Sequence, residues 1–198
     1  MKTILLLYAT REGHTRRIAE YVAAKLQERG ICAALVDVRS IPINFSFSSY
    51  SSAIVAASVH AGKHEPEMVR IIQRLRIELE QMPTMFLSVS LSQAGAQDPA
   101  AAPDRRDQAA ADVKTMIKTF LSETGWHPTR VLAVAGALTY SKYNFLLRFI
   151  MKRIARRAGA STDTSRDHEF TDWAAVDRAL TDFVAEEAWN QGSSASGW

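Results

Sequence analysis

At 198 residues with 47% apolar content, the chain suits a single domain with an insertion and can bury a core without covalent staples. Its one cysteine, Cys32, excludes a disulfide framework and a cysteine-rich metal site, and no uncharged apolar run reaches the roughly 18 residues that a spanning helix needs. The net charge of +3 is uneven: residues 142–157 carry six basic side chains and no acid, which leaves the remainder at −3 and points to an anionic partner for that patch. Met1-Lys2 runs straight into the first apolar segment, so no signal peptide and a reducing cytoplasm are expected.

Residues 3–9 are almost continuously apolar, the signature of a strand buried on both faces of a parallel sheet. Thr10-Arg11-Glu12-Gly13-His14-Thr15 follows directly. Backbone N–H groups at a helix start point outward, and the helix dipole adds about 0.3–1 kcal/mol per anionic group. Thr10 and Thr15 bring hydroxyl donors, while Gly13 lets the chain pass close to a ligand. No Gly-Lys-Ser/Thr follows and no G-x-G-x-x-G is present, so the turn is neither a P-loop nor a dinucleotide fingerprint. It reads either as a simple helix cap or as a phosphate site, and its place after the first strand favours the phosphate.

Residues 14–29 place Ile18, Tyr21, Val22 and Leu26 on one helical face and stop at Gly30, a suitable C-cap. Residues 33–38 form a short strand suited to a sheet edge, and 53–58 a third, almost continuously apolar one. The helix 65–80 carries Pro66 in its first turn and an apolar face of Met68, Ile71, Ile72, Leu75 and Leu79. A fourth strand, 84–91, precedes residues 92–107, whose Ala, Pro, Gln and Asp read as a mobile loop over the ligand end of the sheet. Then come a helix over 107–124, a fifth strand over 131–138, and a basic amphipathic helix over 140–158. The last helix, 171–188, is expected to be capped by Thr171, and 190–198 is a Ser/Gly-rich segment expected to be a disordered tail.

Strands alternating with helices predict an α/β fold: a five-stranded parallel sheet of order 2-1-3-4-5, helices on both faces, one domain over 1–189. Ligands in such sheets lie beyond the carboxyl ends of the strands, here 10–15, 58–63, 88–93 and 137–143.

On the basic helix, Tyr143, Leu146, Leu147, Ile150, Met151 and Ile154 share one face, and Arg148, Lys152, Arg153 and Arg156 the other, with Phe145 and Phe149 among them. A solvated surface helix would explain the charges. The missing acids and the two phenylalanines favour an interfacial helix on anionic lipid, or a wall for a flat apolar ligand that bears carboxylates. No nucleic-acid module is recognisable, so no nucleic-acid partner is expected. His60 and His64 stand four apart without a third ligand, so no metal is expected; His60 would border the ligand and His64 would be a solvated loop residue. Tyr140 and Tyr143 flank either the ligand or the core, Cys32 reads as a buried filler, and Trp126 packs.

The T-x-x-G-x-T turn is the pattern with which flavodoxin-like proteins hold the monophosphate of FMN. The opening residues 1–19 with that turn, the segment 57–64, Phe86-Leu87-Ser88-Val89-Ser90-Leu91, residues 135–140 with Tyr143, Thr162-Asp163-Thr164 and Phe170-Thr171-Asp172-Trp173 occur in one order and spacing. Together they resemble the flavodoxin-like, quinone-dependent protoporphyrinogen oxidases of bacterial haem synthesis. The likeness runs from Met1 to about Ala188. Ser90 stands where that family suggests Asn, Ser165 where it suggests Arg, and the segment after Leu91 carries Asp98 and Asp104 in place of a basic cluster.

The resemblance implies FMN held by Thr10, Arg11, Glu12, Gly13, His14, Thr15, Ser58, Val59, His60, Ser88, Val89, Ser90 and Leu91. It implies oxidation of protoporphyrinogen IX to protoporphyrin IX, with electrons passed to menaquinone or ubiquinone. His60 and Tyr140 become the catalytic candidates. Phe145, Arg148, Phe149 and Lys152 become contacts to substrate or to an anionic membrane on the inner face of the cell. A homo-oligomer is compatible with all of this. Three other roles share the fold: a flavodoxin electron carrier, which the positive helix disfavours; an NAD(P)H:quinone reductase; and a binding module that has lost FMN.

Overall fold

The computed structural model describes residues 3–138 and 168–195. The main sheet has parallel strands β1 (Thr3–Ala9), β2 (Cys32–Asp37), β3 (Tyr50–His60), β5 (Thr84–Ser90) and β6 (Arg130–Ala135), ordered β2-β1-β3-β5-β6. A short β4 (Lys63–His64) folds back antiparallel on the end of β3. Counting only the long strands, this is the expected 2-1-3-4-5 order. A separate two-stranded ribbon pairs β7 (Ala137–Leu138) with β8 (His168–Glu169).

Because successive strand residues point to opposite faces, each apolar strand builds two cores. Ile4, Leu6 and Tyr8 of β1 join Ile54, Leu87 and Val134 against α1 (His14–Glu28) and the C-terminal helix, α5 (Trp173–Ala195). Leu5, Leu7 and Ala9 join Val55, Ala57 and Phe86 against α2 (Pro66–Leu79) and α4 (Pro103–Thr124). The predicted helical faces are those buried: Ile18, Val22 and Leu26 on α1, Met68, Ile72, Leu75 and Leu79 on α2, Val176, Leu180 and Phe183 on the last helix.

Several expectations need correction. Residues 92–107 are not a bare loop. Ser90 accepts a hydrogen bond from Gln93 N at 3.2 Å and so caps a short helix, α3 (Leu91–Gln97), and Pro103 opens α4 four residues before the expected start. The alanines that resembled loop filler are good helix formers once a cap and an N-terminal proline are supplied. The final helix is capped by Asp172, whose carboxylate accepts from Ala175 N at 2.9 Å, and not by Thr171. It also runs on through Asn190 to Ala195, into the segment read as a tail.

The expected strand 131–138 breaks at Gly136, where the backbone turns to Ser90 O (3.0 Å) and receives Phe170 N (3.2 Å). Cys32 is exposed, because β2 is an edge strand and the residue opens it. The expected basic helix over 140–158 lies outside the described residues.

His64 is the largest correction. The turn Ala61-Gly62 has φ 49° and 80°, both positive as a tight two-residue hairpin requires, and this pairs His64 with Val59. The imidazole is thereby buried under the sheet, 2.9 Å from Ser88 Oγ, with ring centroids 4.7 Å from Phe120 and 5.3 Å from Phe86. Trp126 is wholly buried beside the same Phe86. No compensating charge offsets the burial of His64, and desolvation lowers its pKa from 6.5 to about 4.

A depressed histidine pKa means that, between those values, the unfolded chain binds a proton that the folded one refuses. His64 therefore contributes its full share of stability above about pH 6.5 and loses it as pH falls toward 4. That share is about 3 kcal/mol. Urea unfolding at pH 7 and pH 4.5 is expected to show a drop of this order in the native chain and a clearly smaller one in His64→Gln.

Candidate functional site

The chain passes from one side of β1 to the other between β2 and β3, and the carboxyl ends of β1 and β3 diverge at that reversal. A cleft opens there. It is lined by Thr10, Glu12, His14 and Thr15 from the first turn, Ser58, Val59 and His60 from the end of β3, Val89, Ser90 and Leu91 from β5 and α3, and Gly136 and Ala137 beyond β6. Ten of the thirteen residues that the sequence nominates for cofactor contact thus line one cleft.

The first turn is shaped for an anion. Thr10 Oγ1 accepts from Gly13 N at 2.9 Å, which closes the turn on itself. Gly13 has φ 95°, a left-handed conformation that disfavours any other residue, and it serves as the N-cap of α1 without a side-chain cap bond. No acid occupies the first turn of α1. The first amide groups of α1 therefore face the cleft as donors, beside the hydroxyl-bearing Thr10 and Thr15.

Three nominated residues act elsewhere. Arg11 turns away from the cleft: its Nε donates to Glu65 at 3.0 Å, in a neighbouring cavity shared with Val38, Arg39 and Glu67. Gly13 contributes its conformation and not a lining side chain. Ser88 lies below the cleft and is engaged with His64. The candidates Tyr140, Phe145, Arg148, Phe149 and Lys152 lie outside the described residues.

The residues nominated for cofactor contact do not include Gly136, Ala137 or Glu65, although Ala137 belongs to the strand end 137–143 where a ligand is expected. The first two sit where β6 breaks, a break that an unbroken apolar run conceals. Glu65 looked like an ordinary helix-start acid before Pro66; only the fold buries it, at 4% exposure.

His14 joins the turn to the far end of the chain. Thr171 Oγ1 donates to Ala135 O at 2.8 Å, so its oxygen is left to accept from His14 Nε2, also at 2.8 Å. Burial lowers the pKa of His14, with Arg17 acting in the same direction and Glu169 opposing, so the ring that holds this bond is neutral at pH 7. Arg17 pairs with Glu169 and lies 5.8 Å from the centroid of the Trp173 ring, and Tyr21 OH donates to Asp177 at 2.9 Å. These contacts, spaced along one face of α1, fasten it to the segment 168–177.

At the rim, His60 Nδ1 lies 3.8 Å from a Glu12 carboxylate oxygen, with both side chains partly exposed. Among the described residues, no three His, Cys, Asp or Glu side chains gather as a metal site. Two roomier surface grooves, of about 560 and 580 Å3, lie between α1 and β2 and beside α4 and β6. Neither adjoins the turn, and neither brings together comparable donors.

A flavodoxin-domain family model matches residues 5–165. Protoporphyrinogen IX dehydrogenase (quinone) of Escherichia coli K12 is 33% identical over 176 residues, covering 89% of this chain and 91% of its own length. The protein of that name from Leishmania major is 30% identical over 182 residues, covering 91% of this chain and 74% of its own. A Fusobacterium nucleatum flavodoxin mutant bound to flavin mononucleotide is 13% identical, covers 73% of this chain and 74% of its own, and superposes with a TM-score of 0.45. The chain belongs to the flavodoxin-domain family that includes these dehydrogenases.

Proposed function

We propose that the chain binds FMN with its phosphate at the first turn and dehydrogenates protoporphyrinogen IX, passing the electrons to menaquinone or ubiquinone. The observation that carries the reading is the convergence of an uncapped helix start, two threonine hydroxyls and the ends of β3, β5 and β6 on one cleft. The donor set suits a phosphate dianion, which two hydroxyls and free amides can hold without a lysine. The enclosed part of the cleft measures about 60 Å3, room for a phosphate group and not for a tricyclic ring. The ring would then be held at the rim, where Val59, Val89, Leu91 and Ala137 offer apolar surface. Bound there, FMN would supply the redox chemistry, taking reducing equivalents from the porphyrinogen and returning them to quinone.

The protein's own residues have three tasks. Thr10, Thr15 and the first amides of α1 bind the phosphate, while Ser58 and Ser90 fix the walls around the ring. His60, whose Nδ1 lies 3.8 Å from a Glu12 carboxylate oxygen, takes up the proton that leaves the substrate during dehydrogenation. Tyr140 is a second candidate for contact with the ring. The basic residues of 142–157, with Phe145 and Phe149 beside Arg148 and Lys152, capture substrate carboxylates or attach the protein peripherally to anionic lipid, where the quinone dissolves. Support for this role comes from the β7–β8 ribbon. Leu138 pairs with His168 next to Ala137, a residue of the cleft wall. No helix among the described residues is long and apolar enough to cross a membrane. The proposed place is haem biosynthesis.

The direct test is anaerobic reconstitution with FMN, protoporphyrinogen IX and a menaquinone analogue, following porphyrin fluorescence. Porphyrin formation that needs both FMN and quinone is expected; reduction by NADPH but not by porphyrinogen would transfer the chain to the quinone reductases. Thr15→Val is expected to weaken FMN binding by about tenfold or more while riboflavin binds as before, since the lost hydroxyl serves only the phosphate. His60→Ala should lower kcat by a factor of about 10² or more at unchanged FMN affinity. Replacing both Arg148 and Lys152 by Glu should cut sedimentation with phosphatidylserine vesicles or raise the KM for porphyrinogen, at about 1 kcal/mol per charge for the lipid.

A further inference from the structure

Glu65 is a buried carboxylate that takes no part in the functions described so far. It ends the β4 hairpin and is the N-cap of α2, yet its side chain makes no cap bond. Its backbone N–H donates to Ser58 O at 3.1 Å, which brings the residue under the end of β3. One carboxylate oxygen accepts Arg11 Nε at 3.0 Å, and the other lies 3.4 Å from Ser58 Oγ, which is also 3.4 Å from Ala9 O. One side chain therefore touches both walls of the cleft, the phosphate turn through Arg11 and the ring side through Ser58.

The burial is asymmetric: the Glu65 side chain is 5% exposed and that of Arg11 50%. A carboxylate so enclosed is stable only while a cation is held against it. The demand is met by Arg11, the residue next to Thr10. With the Arg11 guanidinium drawn to the far side, Thr10, Glu12, His14 and Thr15 face the cleft together. Released, the same guanidinium would be an unattached cation one residue from the phosphate donors, able to pair with the anion in other geometries.

We propose that Glu65 is the positioning residue of the phosphate turn: by holding Arg11 outside the cleft it sets the turn in the one shape that presents the Thr10 and Thr15 hydroxyls and the first amides of α1 to the FMN phosphate. The inference rests on the reading of the cleft as an FMN site. It assigns Arg11, which the sequence suggests as a direct ligand, to the scaffold.

The test compares FMN with riboflavin, which lacks the phosphate, by flavin-fluorescence titration of the full chain. Arg11→Met and Glu65→Gln are each expected to weaken FMN binding about tenfold, while riboflavin affinity stays within about threefold. The double variant should be no weaker than either single one, because both remove the same restraint. Arg11→Lys, which keeps the cation, should recover most of the selectivity. A residue that merely stabilised the fold would lower the urea midpoint and leave the FMN-to-riboflavin ratio unchanged, and that result in Arg11→Met and Glu65→Gln would overturn the proposal. Arg11 is half exposed, so its variant remains informative should Glu65→Gln fail to fold. Loss of FMN binding in the unmodified chain would instead sink the functional reading itself.

Discussion

The amides at the start of α1 have no acceptor within the helix, and the hydrogen bonds nearby are arranged around them and not on them. Thr10 closes the turn through Gly13 N, Gly13 caps without a side chain, and Arg11 is drawn aside by Glu65. A helix start left open leaves donors that water or an anionic ligand can satisfy. The rest of the architecture serves that arrangement. The reversal of the chain between β1 and β3 opens the space, and the ends of β3, β5 and β6 supply its other walls.

Three histidines near this cleft show how position sets chemistry. His64 is sealed between Phe86 and Phe120 and holds Ser88 as a neutral ring, so its role is structural. His14 is also held neutral by burial, and its ring fixes the phosphate turn to Thr171 and hence to the end of β6. His60 lies in the cleft wall with its Nδ1 3.8 Å from a Glu12 carboxylate oxygen, and both side chains are partly exposed. The spacing of His60 and His64, which invites a metal reading, reflects a hairpin whose two arms send one ring outward and one inward.

The ties along α1 give the C-terminal segment a part in the site. Thr171, Glu169, Trp173 and Asp177 each meet a residue of α1, and Phe170 N bonds Gly136 O at the cleft wall. The phosphate turn, the break in β6 and the return of the chain at β8 are thus one hydrogen-bonded unit. Residues distant in sequence share the mechanical load of a six-residue turn.

The sequence by itself determined the parallel sheet and its order, because strands buried on both faces must be continuously apolar and the helices between them show their buried stripes. It also singled out the turn 10–15, whose hydroxyls and glycine suit either a helix cap or a phosphate, and in the fold Thr10, Glu12, His14 and Thr15 of that turn line one cleft. It misread 92–107, where alanine is ambiguous between loop and helix until Ser90 and Pro103 are seen to cap and start helices. It could not show that Arg11 faces away, that Ser88 lies below the cleft, or that Glu65 is buried. Those facts depend on which side of a turn or strand meets α2 and α4, a matter of packing between residues 24 and 54 positions apart, on which local periodicity is silent.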